Sequence, residues 1–256
     1  VMESTYGDRN HRRDTDIETQ LAEVIQDAVS RGGNVIIPTF AVERAQELVY
    51  HFGRLRRAGR IPPLPIFLDS PMAVDVTKVY LRFERYCDEA LLKMVRDEQA
   101  PFIYENLKYV RTAQESKAIN FVKPPAIIMS SSGMCNAGRI KHHLKNNLEK
   151  PAATILFVGH QSAGTLGRQI VDGQKRVRIH GQFFNVKAKI DQLYGFSGHA
   201  DHDGLLRWIG AFQRPPRRVF LTHGEEDVAL KLAAEIREKH GYETYVPHYR
   251  EAIELE

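Results

Sequence analysis

Two histidines stand where a chain of alternating strands and helices can do chemistry. One lies in Gly195-Phe196-Ser197-Gly198-His199-Ala200-Asp201, the other in Leu221-Thr222-His223-Gly224-Glu225-Glu226. Each lies between a β-branched or aromatic run and a Gly- or acid-rich turn, just before a helical pattern. That is the carboxyl end of a strand, where α/β folds place their sites. Imidazole serves both as a zinc ligand and as a proton donor near neutral pH. Two such junctions suggest one shared site. From position alone, His223 points into the cleft above a sheet, and His199 reads equally well as part of a local helix cap with Asp201 as the capping residue. The string His199, Asp201, His202, Asp203 lacks a His-x-His pair. Its two acids are better explained by a helix dipole than by a metal.

Two further stretches have the composition of anion sites. Ser130-Ser131-Ser132-Gly133 falls between a buried-strand pattern and a helix expected near Ala137. Gly159-His160-Gln161-Ser162-Ala163-Gly164-Thr165 repeats the arrangement after the next strand, with Arg168 one turn on. Hydroxyls and free backbone N–H groups at helix starts can hold phosphates. Neither stretch is a Walker loop, because no Gly-Lys-Ser/Thr follows. Arg139, Lys141, His142 and His143 add charge nearby, though a solvated helix face explains them equally well. Phosphate contacts carry no base information. Stacking would need exposed aromatics such as Tyr6, Phe40 or Phe184, residue types that are more often core.

The elements that must position these groups follow from periodicity. Thr15-x-x-Glu18 reads as a capping box. Leu21, Val24, Ile25 and Ala28 then share a helix face that Gly32-Gly33 ends. Residues 34–38 form a short buried strand. Ala45, Leu48, Val49, Phe52 and Leu55 stripe the next helix, and Arg54, Arg56, Arg57 and Arg60 cluster at its end as a solvated terminus. Strands are expected at 64–68, 126–129, 154–158 and 218–221, with a helix N-cap at Ser70-Pro71. Short strands without intervening helices fill 177–194, and helices follow over 201–212 and 226–240. Alternation of this kind implies an α/β fold with a doubly wound, mostly parallel sheet.

The chain has 256 residues, 43% of them hydrophobic, which is enough for a sizeable core. Its net charge of +4 permits a polyanionic partner without demanding one. Two cysteines, Cys87 and Cys135, are too few for a disulfide scaffold, so a reducing, cytoplasmic location is expected. No apolar run approaches the roughly 18 residues a membrane span needs, so no membrane partner is expected.

With Glu3-Ser4-Thr5-Tyr6-Gly7 at the start, the two histidine motifs resemble the β-CASP branch of the metallo-β-lactamase fold. Matching stretches in the same order are Ile37-Pro38-Thr39-Phe40-Ala41-Val42-Glu43-Arg44-Ala45-Gln46-Glu47, Leu68-Asp69-Ser70-Pro71-Met72-Ala73, Ser130-Ser131-Ser132-Gly133-Met134 and Gly164-Thr165-Leu166-Gly167. The branch contains endonucleases and exonucleases that process RNA, and also members that act on DNA.

The resemblance implies three segments. Residues 1–8 and 193–256 would belong to a split metallo-β-lactamase αββα domain, and residues 9–192 to an inserted β-CASP domain. It implies a zinc-dependent phosphodiester hydrolase with two zinc ions and single-stranded RNA as substrate. His223 would bind zinc. His199, supported by Glu3, would donate a proton to the leaving oxygen. Ser130, Ser131, Ser132, Gly133, Gly164, Thr165, Arg168 and Ser197 would line the RNA phosphates.

The family's H-x-H-x-D-H string does not occur here. The chain is therefore expected to be the back part of a longer enzyme, inactive alone, with His223 a lone ligand. Residues 193–256 are then expected to lack a core of their own and to pack against a second copy, giving a homodimer, or against a front half. The competing expectation is a non-catalytic RNA-binding or scaffold relative. Retained Glu3, His199 and His223 argue against it. A nucleotide-binding transferase module is disfavoured by the lack of any G-x-G-x-x-G.

Overall fold

The computed structural model describes residues 1–11, 16–96 and 101–254. The chain divides into two compact units. One joins its two ends, Val1–Arg13 with Ser197–Glu256, and the other is Asp14–Phe196.

The larger unit is a parallel sheet between helices. In chain order after the first short strand β1 (Met2–Glu3), it runs α1 (Ile17–Ser30), β2 (Val35–Pro38), α2 (Arg44–Arg57), β3 (Ile66–Asp69), α3 (Pro71–Arg82) and α4 (Glu89–Arg96). Then come β4 (Leu107–Val110), α5 (Ala113–Ala118), β5 (Ile127–Ser130), α6 (Ile140–Asn147), β6 (Thr154–Phe157) and α7 (Leu166–Val171). The hairpin β7 (Arg176–Ile179) and β8 (Gln182–Asn185) and the strand β9 (Lys189–Gln192) complete it. Six strands pair in the order β4-β3-β5-β2-β6-β9, all parallel. β2, β3, β5 and β6 are buried along their whole length, as parallel strands covered on both faces must be.

The two faces carry separate apolar clusters. Leu21, Ile25, Ala45, Leu48, Phe52 and Leu55 pack on one side, and Ile140, Leu144, Leu148, Phe157 and Ile170 on the other. The helix stripes read from spacing are therefore core stripes; Val24, expected in the first, is only partly buried.

Three local expectations change. Thr15 lies outside the described residues; α1 is capped by Asp16, whose carboxylate accepts from Thr19 N at 3.0 Å. The arginines ending α2 are not simply solvated: Arg54 pairs with Glu18 at 3.0 Å and Arg60 donates to Thr19 Oγ1 at 2.8 Å. The helix expected near Ala137 begins only at Ile140, because residues 132–137 turn back on themselves through Ser132 Oγ and the Ala137 backbone. Ser70 caps α3 as read, accepting from Ala73 N.

The smaller unit pairs β1 with β10 (Val219–Thr222) and β10 with β11 (Thr244–Tyr245), all parallel, with α8 (His202–Gly210) and α9 (Glu226–His240) alongside. Against expectation this unit has its own core, formed by Met2, Leu205, Ile209, Val219, Leu221, Ala229, Leu232, Ala233 and Ile236. Short strands suffice because α9 lays one apolar stripe along the sheet. Trp208, Phe212, Leu230 and Tyr249 remain exposed. No helix among the described residues is long and apolar enough to cross a membrane.

Candidate metal and acid–base centre

The smaller unit brings together residues from the two ends of the chain. Parallel pairing sets Glu3 opposite Thr222, so that Glu3 and His223 leave adjacent strands at the same end. Ser4 Oγ then donates to Thr222 O at 2.9 Å, and the chain turns at His223 with φ of 50°. A left-handed backbone at a non-glycine residue is a marker of functional sites. Gly224 follows because nothing larger fits: a Cβ there would stand 2.3 Å from Ser4 Oγ.

His199 enters from the loop before α8. Ser197 Oγ accepts from His199 N at 3.2 Å, and Asp201 caps α8 through Gly204 N at 2.9 Å. Ala200 N donates to Glu3 Oε1 at 3.2 Å, and His199 Nδ1 lies 2.6 Å from Glu3 Oε2. Glu3 Oε2 is buried and makes no well-angled hydrogen bond, so its contact with His199 is electrostatic rather than an aligned bond. The His199 and His223 ring centroids are 5.0 Å apart. One donor atom from each of Glu3, His199 and His223 falls within 4.8 Å of the others, spacing that one cation could bridge.

The structure sets two potential donors, Glu3 and His199, beside the histidine that the sequence offered as a lone ligand. Long-range strand pairing supplies two neighbours that composition could not place. His202 and Asp203 take no part, because His202 is tied to Glu235 at 2.7 Å and to Asp203 at 3.1 Å.

Thr5 decides the His223 tautomer. Its hydroxyl donates to His223 O at 2.9 Å, so it accepts from His223 Nδ1, 3.1 Å away. Nδ1 therefore carries the hydrogen, and Nε2 keeps the lone pair a metal needs. This is the outer partner that metal-binding histidines usually have. Thr5 was missed as a site residue; the only sequence signal was its place beside Glu3.

A cleft of about 500 Å³ opens beside His223 and Gly224 and is lined also by Val246, Pro247, His248, Tyr249 and Arg250. His248 and Arg250 carry imidazole and guanidinium groups suited to a phosphodiester. No spacing in the sequence linked them to His223.

The expected phosphate loops belong to the larger unit, and the structure divides them. Ser130 is fully buried and its hydroxyl donates to Asp69 O at 2.8 Å, which removes that side chain from any phosphate. Ser131 and Ser132 are half-exposed, and Ser131 Oγ donates to Ser70 Oγ at 3.2 Å. Gly133 is buried under the Phe40 ring, 2.9 Å from where a Cβ would sit. The second loop is tied directly to the first: Gln161 Nε2 donates to Gly133 O at 3.1 Å and Gly167 N to Met134 O at 3.1 Å. Gly164 is exposed. Thr165 is buried and caps α7, accepting from Arg168 N at 3.1 Å. Arg168 is paired with Asp172 at 2.8 Å. Of the three aromatics with stacking potential, Tyr6 is buried, Phe184 is half-buried and Phe40 is 45% exposed.

Arg139 and His143 are also spent. Arg139 Nη1 donates to Asp69 Oδ1 at 2.7 Å, His143 Nε2 to Asp69 Oδ2 at 2.6 Å, and Ser116 Oγ to Asp69 Oδ2 at 2.5 Å. Burial alone would raise the Asp69 carboxyl; the hydrogen bonds from His143, Ser116 and Arg139 outweigh it and hold it below its ordinary value of 3.8.

A Beta-Casp domain model matches residues 45–170, and a model described as Zn-dependent metallo-hydrolase RNA specificity domain matches residues 184–247. The chain is 42% identical over 232 residues to "Ribonuclease TTHA0252" of Thermus thermophilus, covering 91% of this chain and 52% of that protein. It is 34% identical over 263 residues to "Transcription termination factor FttA" of Thermococcus kodakarensis, covering 100% of this chain and 40% of that protein. An "RNase J-like protein" of Methanocaldococcus jannaschii is 32% identical over 250 residues, covering 96% and 56%. The chain thus spans about half the length of the curated relatives it matches.

Proposed function

The chain belongs to the β-CASP family of metallo-β-lactamase-fold proteins, and from that premise we propose that it is the back part of a zinc-dependent hydrolase of RNA phosphodiesters. The carrying observation is the convergence of Glu3, His199 and His223 within 4.8 Å, with His223 Nε2 left free by Thr5.

This reading assigns residues 9–192 to the β-CASP domain and residues 1–8 and 193–256 to the parent domain. The donor set fits zinc: imidazole nitrogen with a carboxylate oxygen. His223 would hold one of two ions, which when bound would supply Lewis-acid activation of water for phosphodiester hydrolysis near neutral pH. Glu3 Oε2, 2.6 Å from His199 Nδ1, would position that imidazole to give a proton to the leaving 3′-oxygen. His248 and Arg250 line the neighbouring cleft, where they would hold the phosphate charge. Ser131, Ser132 and the exposed Gly164 remain as phosphate contacts for single-stranded RNA in the larger unit. A chain with only two cysteines, Cys87 and Cys135, suits a reducing cytoplasm, and exposed Trp208 and Phe212 would give a second copy an apolar seat.

The test uses the whole protein and a labelled single-stranded RNA. Chelation should abolish cleavage and zinc should restore it. Cleavage that survives complete metal removal would sink the proposal.

A further inference from the structure

From Gly173 to Ile190 the chain carries Lys175, Arg176, Arg178, Lys187 and Lys189 and no Asp or Glu, so this short stretch alone exceeds the +4 net charge of all 256 residues. Most of it folds as the hairpin β7–β8. His180 and Gly181 form the two-residue turn at φ of 47° and 81°, the positive values a tight hairpin with the natural strand twist needs. Directly opposed residues share a face. The register pairs Val177 with Phe184 and Arg178 with Phe183. Val177 and Ile179 therefore enter the core, while Arg176, Arg178 and Phe183 share the outer face.

Phe183 is 57% exposed, and the Arg176 guanidinium lies 4.4 Å from its ring centroid. Lys145 of α6 extends the charge toward the hairpin, its Nζ 3.3 Å from Gln182 Oε1. The His142 ring sits 4.7 Å from that of His180 at the turn. Among the described residues one acid is hydrogen-bonded to the hairpin: Glu149, whose Oε1 accepts from Asn185 N and Nδ2 at 3.0 and 2.8 Å. Lys189 is engaged with Asp27 and Asp191 and adds little free charge.

An exposed phenyl ring with one guanidinium over it, and a second arginine, Arg178, opposite it in the register and donating from Nε to Gly181 O at 3.2 Å, is a stacking surface with cations beside it. Bases stack on such rings regardless of sequence, and the cations displace counterions from the backbone. We propose that the outer face of β7–β8, centred on Phe183 with Arg176 and Arg178, is a docking surface for single-stranded RNA, built from residues outside both the serine loops and the Glu3–His199–His223 centre. The choice of RNA rests on the function proposed above; the stacking-plus-cation chemistry comes from the hairpin itself.

The experiment measures anisotropy of a labelled 12-nucleotide single-stranded RNA on the 256-residue chain, with thermal midpoints as a folding control. Phe183→Ala should weaken binding about tenfold or more, and Phe183→Trp should retain it. Replacing Arg176 and Arg178 together by Ala should weaken binding and flatten its salt dependence by about 1.4 in log–log slope, two phosphates at roughly 0.7 each. An abasic strand should be indifferent to Phe183→Ala. No binding, binding insensitive to these variants, equal loss on the abasic strand, loss in Phe183→Trp, or duplex RNA bound as tightly and with the same sensitivity would each overturn the proposal. If the binding pattern holds but the whole protein cleaves no RNA, the hydrolase reading fails and this surface stands. If cleavage is zinc-dependent but binding ignores the hairpin, the reverse is true.

Discussion

The two units each place an acid at the carboxyl end of a parallel strand with a histidine 2.6 Å away. In the smaller unit Glu3 ends β1 and meets His199; in the larger, Asp69 ends β3 and meets His143. The residue types, strand position and distance match. What differs is what else each group touches. Asp69 is fully buried and takes three side-chain donors on its two carboxylate oxygens, while His143 is 1% exposed with Nδ1 buried and unpartnered. Glu3 and His199 are partly open to solvent, and a second imidazole stands beside them with an unused nitrogen. A pair whose carboxylate is held by three donors, with no access to solvent, is a structural brace. A pair with spare donor atoms at a cleft can act on something else. Acid–histidine proximity alone does not separate chemistry from architecture.

If Asp69–His143 is a brace, removing one partner should destabilise the fold more than any change at the open pair. Asp69→Ala leaves the half-buried Arg139 and the buried His143 without their acceptor and should lower stability by about 3–5 kcal/mol, read from urea unfolding. The lowered carboxyl sets the sign of the pH dependence: this stabilisation is complete above about 4 and is lost as pH falls through the depressed folded value. A variant that unfolds like wild type at pH 7 would show the network to be idle.

The opposite is expected at the open pair, where stability should hardly move and chemistry should fall. In the whole protein, His199→Ala should keep fold and metal but slow RNA cleavage by on the order of 10²-fold or more, the usual worth of a positioned proton donor. The loss should shrink on a nitrophenyl phosphodiester, whose leaving group needs no proton. Equal losses on both substrates would argue for a ligand role, as the shared spacing with His223 also allows.

His223→Ala should reduce bound zinc and cleavage together, by roughly the same 10²-fold scale in rate. Zinc content by plasma emission checks it, and unchanged stoichiometry with full activity contradicts the ligand role. Thr5→Val keeps shape but frees the His223 ring and should weaken zinc affinity or activity about 10- to 100-fold. Competition with a chromogenic chelator measures it; an unchanged affinity would mean the Thr5 hydroxyl does not set the tautomer.

The smallest effect sharpens the boundary between structural and available hydroxyls. Ser131→Asp puts a like charge on the half-exposed loop and should weaken RNA binding several-fold in a salt-dependent way. Ser130→Ala, which deletes a buried hydrogen bond to Asp69 O, should instead cost about 1 kcal/mol of stability and leave RNA affinity alone.

The amino-acid order by itself determined the elements of this protein and the neighbourhoods of its motifs. Apolar spacing over Leu21–Ala28 and Ala45–Leu55 is a local property, so those helices were legible, as were the buried strands and the Ser70 and Asp201 caps. His199 and His223 were legible because strand–turn–helix junctions have local signatures. The resemblance added Glu3 as partner of His199.

Tertiary structure decided which groups are free to act. Glu3 meets His199 because β1 pairs with β10 across most of the chain, and Thr5 locks the His223 ring through the same pairing. Asp69 captures Arg139, His143 and Ser116 from elements 47 to 74 residues away. Ser130 and Ser131 are neighbours of one type, yet one ends the buried strand β5 and the other begins the half-exposed loop after it. His248 and Arg250 line the cleft beside His223 only because the segment after β11 passes alongside α9. Burial and hydrogen-bond commitment are set by long-range contacts, and a run of residues carries no local trace of them.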